Sequence, residues 1–386
     1  MGEIQRVLTP CIKPCLSRAR LKRAEALPLQ PFFFVLNSGS IKRLFVPVLI
    51  YYHFGHCRVR FTTEFHRWIQ KTKEAGMFKF LKQMFIAMFA LACTSGLALA
   101  ADDDVLKPFV LGSKSAGSVA EKAEAAKAAL TAEGFTVVGA YSPYPNASVI
   151  VVTNDELKAN AAKSTHGGFG AMQRVSVTKM GNDVQVAYTN PVYMANAYRM
   201  AGDLKGVAAS MGKALGRVEE FGAKGLTPAK LRKYHYMFGM EYFNEPSELA
   251  EHKSYEDAVK TVEANLAAGA AGVTKVYRID IPGKKETVFG VAMKGKTDAD
   301  KFMDDKYIMS EVDFKDVRST AHLPYEILVS GNKAYALYAR FRIAASFPDL
   351  SMMGENSFMR IMDSPEAIRK ALTLAAGGKY EGASWK

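Results

Sequence analysis

The side chains best suited to acid–base or metal chemistry are few and widely spaced in this chain of 386 residues. After residue 100 there are four histidines, His166, His235, His252 and His322, and there is no cysteine. No two of these histidines have the H-x-x-x-H spacing that puts two imidazoles on one helical face for a metal ion. The sequence therefore predicts no metal and no cofactor.

A methionine-rich segment, KYHYMFGMEYF (233–243), offers an alternative to that prediction. If this segment is a strand, His235, Met237 and Glu241 lie on one side of it. Histidine and methionine side chains can hold copper in an oxidising compartment. The simpler interpretation is a core strand whose aromatic and sulfur side chains pack inward.

The segment from His322 to Asp349 contains the densest set of charged and aromatic side chains. Arg340 and Arg342 have the two-residue spacing of one strand face, and paired guanidinium groups bind carboxylates and other anions. Alternation along a half-buried strand explains the same pair as a solvated face. The predicted ligand-binding groove is lined by His322, Tyr325, Arg340, Arg342 and Asp349, with Asn190 and Tyr193 from the first half of the chain.

Two function classes follow from this predicted groove. In a non-catalytic binding protein, Arg342 would contact a small anion and His322 would make binding depend on pH. In a hydrolase, His322 and an acidic partner, Glu326 or Asp349, would act as general acid and base. An imidazole and a carboxylate in contact in an open cleft would favour the enzyme, whereas a packed His322 would favour the binding protein.

The elements that must position these residues alternate between helix and strand. An alanine-rich helix over 118–133 is followed by the strands FTVVGAY (135–141) and ASVIVVT (147–153), and Asn154 caps a short helix. A hairpin turns at Gly181-Asn182-Asp183, where the backbone needs a positive φ, and a helix over 203–216 closes the first half.

The second half repeats this order of elements. It has a helix from Ser254, strands over 273–281 and 286–293, a short helix over 297–305, a hairpin at Gly331-Asn332 and a last helix from Ser364. The second strand of that hairpin is predicted to cover 333–344. The sequence thus predicts an α+β fold of two repeated β-α-β(4)-α units with antiparallel sheets, over 101–220 and 225–386. Two unrelated α+β domains are the alternative.

Part of the first half resembles a known family. The helix, GFTVVGAY (134–141), the hairpin and TNPVYM (189–194), where a strand runs into Asn190-Pro191, resemble the domain-of-unknown-function-302 family of bacterial proteins. The resemblance covers residues 105–216. It implies a β-α-β(4)-α unit like that of the TATA-binding protein, which tends to be used in pairs. The family has no settled activity, so the resemblance implies no catalytic residues.

Residues 77–100 have the pattern of a signal peptide inside the chain. Lys79 and Lys82 precede an apolar run from Met84 to Ala92, and Ala98-Leu99-Ala100 matches a cleavage site. We therefore predict export to the periplasm and cleavage after Ala100, with residues 1–76 as a non-native or disordered extension. The alternatives are an internal membrane helix, a lipoprotein modified at Cys93, or a transit peptide at the N-terminus.

Cleavage at that position changes the charge argument. The whole chain has 51 basic and 38 acidic residues, of which residues 1–76 hold 13 and 4, and the signal peptide adds two lysines. From Ala101 onward the counts are 36 and 34, a net charge of +2. All four cysteines also precede Ala101. The predicted partners are a small anionic ligand or a periplasmic protein, with no nucleic acid, no stable membrane span and a monomeric or weakly dimeric state.

Overall fold

The computed structural model describes residues 105–382, and before them the backbone of three strands between residues 32 and 61. These strands, β1 (Phe32–Ser38), β2 (Ile41–His53) and β3 (His56–Phe61), form an antiparallel sheet in the order β1-β2-β3. The sequence predicts no regular element there, although its aromatic and β-branched residues suit strands. The predicted signal peptide, residues 77–100, and its cleavage site lie outside the described residues.

The first half of residues 105–382 is built on a six-stranded antiparallel sheet. Its strand order is β5-β6-β7-β8-β4-β9. The strands are β4 (Phe109–Ala116), β5 (Thr136–Tyr141), β6 (Ala147–Thr153), β7 (Gln173–Met180), β8 (Asp183–Thr189) and β9 (Glu219–Phe221). The helices are α1 (Val119–Ala132), α2 (Asp155–Ala162), α3 (Pro191–Ala197) and α4 (Lys205–Leu215).

The second half is built on a five-stranded antiparallel sheet. Its strand order is β10-β14-β13-β12-β11. A short helix, α5 (Pro228–Leu231), lies in the connection between the first half and this sheet. The strands are β10 (Ser247–Glu251), β11 (Val273–Asp280), β12 (Glu286–Met293), β13 (Tyr325–Ser330) and β14 (Lys333–Ala336). The helices are α6 (Tyr255–Ala267), α7 (Asp305–Val312), α8 (Ala339–Ser346) and α9 (Ser364–Ala375).

Local sequence signals explain where several elements begin and turn. The Ser118 hydroxyl accepts from the Glu121 N–H and the Glu121 carboxylate accepts from the Ser118 N–H, which is a capping box at the start of α1. In the β7–β8 and β13–β14 hairpins, the two-residue turns begin with Gly181 (φ +61°) and Gly331 (φ +58°). Glycine adopts this backbone conformation without strain. The predicted α+β class with two antiparallel sheets is confirmed.

Two predicted elements differ in the structure. The strand predicted over 333–344 ends at Ala336, and Arg340 and Arg342 lie on helix α8, so the prediction that they share a strand face is wrong. The segment 233–243 is not a strand, because only His235 and Tyr242 form an isolated bridge within it. The predicted units begin with a strand whose bounds the sequence does not define; these strands are β4, which pairs with β8, and β10, which pairs with β14. Strand β9, which pairs with β4, was not predicted.

The two halves of residues 105–382 share buried side chains. The core of the first sheet includes Tyr277, Val288, Leu328 and Phe341 from the second half. The edge strands β5 and β11 approach each other so closely that a Cβ atom at Gly139 would lie 2.4 Å from the carbonyl oxygen of Val276. The halves are therefore packed against each other rather than joined by a linker alone. In the part of the chain described, no helix combines the length and apolarity needed to cross a membrane.

Candidate functional site

Most residues of the predicted groove lie in the interior of the protein. His322, Tyr325, Arg342, Asn190 and Tyr193 are each at most 1% exposed. The remaining two lie apart from them: Arg340 is half-buried and pairs with Glu241, and the exposed Asp349 accepts from the Lys224 N–H at 2.7 Å. The structure therefore brings His322, Tyr325 and Arg342 together, but it does not form one open groove from the seven residues.

At the centre of that interior group, Glu326 on β13 joins two arginines, Arg174 from β7 of the first half and Arg342 from α8. The Arg174 Nε donates to Glu326 Oε1 at 3.1 Å, and the Arg342 Nε donates to Glu326 Oε2 at 2.9 Å. The Arg342 side chain also donates to the carbonyl oxygen of His322 at 2.7 Å and stacks on the Tyr325 ring at 4.7 Å. We call Arg174, Glu326 and Arg342 the buried charge cluster.

The buried charge cluster holds one negative and two positive charges away from water. Burial alone would raise the pKa of Glu326, but the charges of Arg174 and Arg342 outweigh burial and hold that pKa below its usual value. Glu326 therefore remains ionised and links the first half to the second. The cluster fits a structural role better than the surface anion site predicted for Arg342.

His322 is also packed in this interior. Its Nδ1 lies 2.9 Å from the Ser346 hydroxyl and 3.1 Å from the Arg342 guanidinium, and its Nε2 lies 3.1 Å from the Tyr325 hydroxyl. Burial, reinforced by the charges of Arg342 and Arg174, holds the pKa of His322 well below its usual value. A neutral imidazole with both nitrogens engaged and no contact with solvent is a poor general acid or base.

Asn190 and Tyr193 tie together segments of the fold. The Asn190 side chain accepts from the Val192 N–H at 3.2 Å as the N-cap of α3 and donates to the Lys107 carbonyl oxygen at 3.0 Å. The Tyr193 hydroxyl donates to the carbonyl oxygen of Ala345 in α8 at 2.8 Å. Only Tyr193 of the two contacts the second half, and neither side chain faces an open site.

An open cleft of about 410 Å³ lies elsewhere between the two halves. Its walls come from the β5–β6 turn, the end of β7, helix α7 and the loop that follows α7. The lining residues are Tyr144, Pro145, Asn146, Thr178, Lys179, Met180, Lys306, Met309, Ser310, Asp313 and Arg318. We call it the cation cleft, because it contains three cationic side chains and one acidic side chain.

The buried Thr320 hydroxyl connects three lining residues of the cation cleft, Tyr144, Thr178 and Asp313. The Thr320 hydroxyl lies 2.9 Å from the Tyr144 hydroxyl, accepts from Thr178 at 3.1 Å and donates to the Asp313 carboxylate at 3.3 Å. The Ser319 N–H donates to the same carboxylate at 2.7 Å. Because Thr320 and Asp313 come from the second half, these bonds hold the segment 313–322 against the first sheet.

The cations of the cleft are not paired with carboxylates. Among the residues that the structure describes, Lys179, Lys306 and Arg318 form no ion pair with an acidic side chain. The Arg318 Nε contacts the Met180 sulfur at 3.0 Å, which fixes the guanidinium at the cleft wall. Burial raises the pKa of Asp313 to about 6, so this carboxyl group is mostly ionised at neutral pH. Its single negative charge offsets one of the three cations. The cleft therefore has an excess of positive charge.

Two other surface depressions have a smaller excess of positive charge or none. A groove of about 550 Å³ between α6 and β11 contains Arg278, whose guanidinium pairs with Glu263 at 2.7 Å. A depression of about 430 Å³ shares Lys306 with the cation cleft and adds Lys296 and Lys301, but Asp298 and Asp304 offset two of these three charges. With three cations and one carboxylate, the cation cleft therefore has the largest excess of positive charge of these three depressions.

No single local signal in the sequence would have found the cation cleft. The three cations are distant in the chain, because Lys179 lies in β7, Lys306 in α7 and Arg318 in the loop after α7. Within residues 105–382, no group of three or more histidine, cysteine, aspartate or glutamate side chains could hold a metal ion.

No protein-family model matches the chain, and neither a curated protein nor a solved structure resembles it at a significant level.

Proposed function

We propose that this chain is an exported, non-catalytic binding protein of the periplasm, which holds a small organic anion in the cation cleft between two copies of one α+β unit. The observation that carries the proposal is the cluster of three unpaired cations in an open cleft between the halves. Clefts between structural units are favoured ligand sites, and charge-assisted hydrogen bonds to an anion are strong. The packed geometry of His322 gives the hydrolase alternative no support.

The idea of two copies rests on the topology of the sheets. Each half has the element order strand, helix, two strands, helix, two strands, two helices, and in each sheet the first strand pairs with the fifth. The pairs β5–β6 and β11–β12 each contain one bulge, at Val138 and Val276. Bulges and strand order tend to be kept within families, so these matches favour a duplication of the kind predicted from the sequence, in the manner of the TATA-binding protein fold.

The ligand class follows from the lining of the cleft. Lys179, Lys306 and Arg318 suit two or more negative charges, and Tyr144 and Met309 offer carbon surface between them. A small organic anion with several carboxylate groups matches both features better than an inorganic ion does. The volume of about 410 Å³ suits a small organic molecule.

Neutralising two lysines of the cleft tests this proposal. Citrate and succinate are expected to bind the chain from Ala101 more tightly than inorganic phosphate does, as measured by titration calorimetry at low ionic strength. In the double variant Lys179→Gln/Lys306→Gln, the affinity for citrate is expected to fall at least about a hundredfold, because each lost charged hydrogen bond costs roughly 1.5–3 kcal/mol.

A matched control keeps the same change of net charge. Lys230 and Lys233 are also exposed lysines without an ion pair among the described residues, so Lys230→Gln/Lys233→Gln is expected to bind citrate like the unchanged protein. If the two double variants bind citrate equally well, or if no anion of the series binds, the cation cleft is not a ligand site.

Export has its own test. We expect the chain isolated from the periplasmic fraction of its host to begin at Ala101. Signal peptidase recognises small residues at two positions before the cleavage site, here Ala98 and Ala100, and cleaves after the second. Intact-mass measurement and N-terminal sequencing determine that end directly. Detection of peptides from residues 1–76 in a digest of the native protein would contradict the prediction.

A further inference from the structure

Exposed methionines are concentrated in two short segments of the second half. Met237, Met352, Met353, Met359 and Met362 are 42–75% exposed. The other nine methionines in residues 105–382 are buried or half-buried. Methionine is ordinarily a core residue, so five exposed thioethers from two segments need an explanation. We call these five side chains the thioether patch.

Direct contacts bring the two segments together. The Tyr236 hydroxyl contacts the Met352 sulfur, and the Tyr236 ring lies 5.2 Å from the Phe358 ring. The Met359 N–H donates to the Met352 carbonyl oxygen at 3.2 Å, so the second segment folds back on itself. Met237 is the next residue after Tyr236. The two segments that carry the exposed thioethers therefore meet at Tyr236.

His235 lies two residues before Met237, and contacts with a backbone oxygen and an aromatic ring fix its imidazole. Its Nδ1 lies 2.7 Å from the Met237 carbonyl oxygen, and its ring packs on Tyr242 with centroids 4.5 Å apart. Because a carbonyl oxygen only accepts, Nδ1 carries the proton and Nε2 keeps its lone pair. Nε2 has no hydrogen-bond partner within residues 105–382. A backbone carbonyl that fixes the tautomer in this way is typical of histidines that bind metals.

We propose that His235 Nε2 and thioethers of the patch, with Met237 and Met352 as the first candidates, bind a monovalent copper ion. Thioether and imidazole ligands select Cu(I), whereas magnesium and calcium require oxygen ligands. The chain from Ala101 has no cysteine, so its methionines are its only sulfur ligands. This inference goes beyond the proposed anion binding and uses a different surface.

The composition of the patch argues against a membrane as its occupant. The two stretches that carry it, 224–245 and 349–363, contain five basic and five acidic residues. An anionic membrane would favour an excess of basic residues. The exposed apolar side chains are also almost all sulfur-bearing, with Phe238 as the exception. Sulfur, rather than apolar area alone, is therefore the shared property.

Methionine labelled with ¹³C at its methyl group reports on each thioether separately. Under anaerobic conditions, one equivalent of Cu(I) is expected to shift the methyl resonances of the patch and to leave those of the buried methionines unchanged. Ag(I), which has the same ligand preference, is expected to act alike. Competition with a Cu(I) chelator then gives the dissociation constant.

Two single variants identify the ligands. His235→Ala and Met352→Leu are each expected to weaken Cu(I) binding at least about tenfold, since even outer-shell changes cost 10–100-fold in metal affinity. Met211→Leu, which removes a buried sulfur in α4 at nearly constant volume, is expected to leave the affinity unchanged.

Three outcomes would overturn the copper site. They are the absence of any shift with Cu(I) or Ag(I), equal affinities for the unchanged protein and Met352→Leu, and patch resonances that respond only to a lipid vesicle or a protein. The variant Lys179→Gln/Lys306→Gln is expected to bind Cu(I) normally, so failure of the copper site and failure of the anion site are distinguishable.

Discussion

Replacing Glu326 by glutamine is expected to lower the free energy of unfolding by about 3–5 kcal/mol, because it leaves two buried arginines without a counter-charge. Glu326 is 2% exposed, Arg174 is 3% exposed and Arg342 is 1% exposed, so water cannot replace the lost carboxylate. Urea unfolding at neutral pH, followed by circular dichroism, measures this change. By the same reasoning Arg342→Ala is expected to destabilise the protein, whereas the sequence predicted Arg342 at a ligand-binding groove or on a solvated strand face.

A surface ion pair provides the control for Glu326. Glu248 pairs with Lys333 at 3.0 Å, and both side chains are partly exposed. Glu248→Gln is expected to change stability by no more than about 1 kcal/mol, since exposed pairs contribute little. Equal losses in the two variants would mean that Glu326 does not hold the halves together as a buried charge.

Replacing Asp305 by asparagine is expected to stabilise the protein at alkaline pH. Asp305 is 2% exposed at the start of α7, and burial raises its pKa to about 8. A carboxyl whose pKa is raised on folding contributes stability below its unfolded pKa of about 4, and loses that contribution as the pH rises through 8. At pH 9, Asp305→Asn is expected to gain on the order of 3 kcal/mol over the unchanged protein.

Asparagine suits this site because it is neutral and nearly isosteric with aspartate. One carboxylate oxygen of Asp305 accepts from the Met293 N–H at 3.0 Å, and the other has no partner within residues 105–382. The asparagine oxygen keeps the first bond, and its amide group occupies the place of the second oxygen.

Thermal unfolding between pH 6.5 and 9 measures this effect. Asp313 adds a slope of its own as the pH rises from about 4 to 6, so only the upper range isolates Asp305. The unchanged protein is expected to lose stability over this range, whereas Asp305→Asn is expected to lose much less. Asp298→Asn at an exposed position is the control. Parallel curves for the unchanged protein and Asp305→Asn would refute the assignment.

The parts of the fold that the sequence predicts are those with local causes. Ser118 and Ser254 cap α1 and α6 by bonds to residues three positions later, and Gly181 and Gly331 meet the backbone demands of two-residue turns. These signals need no knowledge of the rest of the chain. The α+β class follows from them, because they separate the helices and hairpins correctly.

The errors concern residues whose environment is set at a distance. The Arg340 and Arg342 spacing fits a strand face, yet the Arg342 side chain is directed by Glu326, and Glu326 also meets Arg174, 152 positions earlier in the chain. A buried arginine and a solvated arginine look alike in the sequence. The cation cleft was missed for the same reason, because Lys179 and Lys306 become neighbours only when the halves pack together.

The contacts that fix the two halves bear on how fast the proposed anion would exchange. Binding proteins with a hinge between lobes must close and reopen around each ligand, and those steps limit their rates. Here the Arg174–Glu326 ion pair, the shared core and the segment 313–322 oppose such a hinge. Association with the cation cleft is then expected to proceed in one step, with a rate constant set by electrostatic steering, and to slow as ionic strength rises.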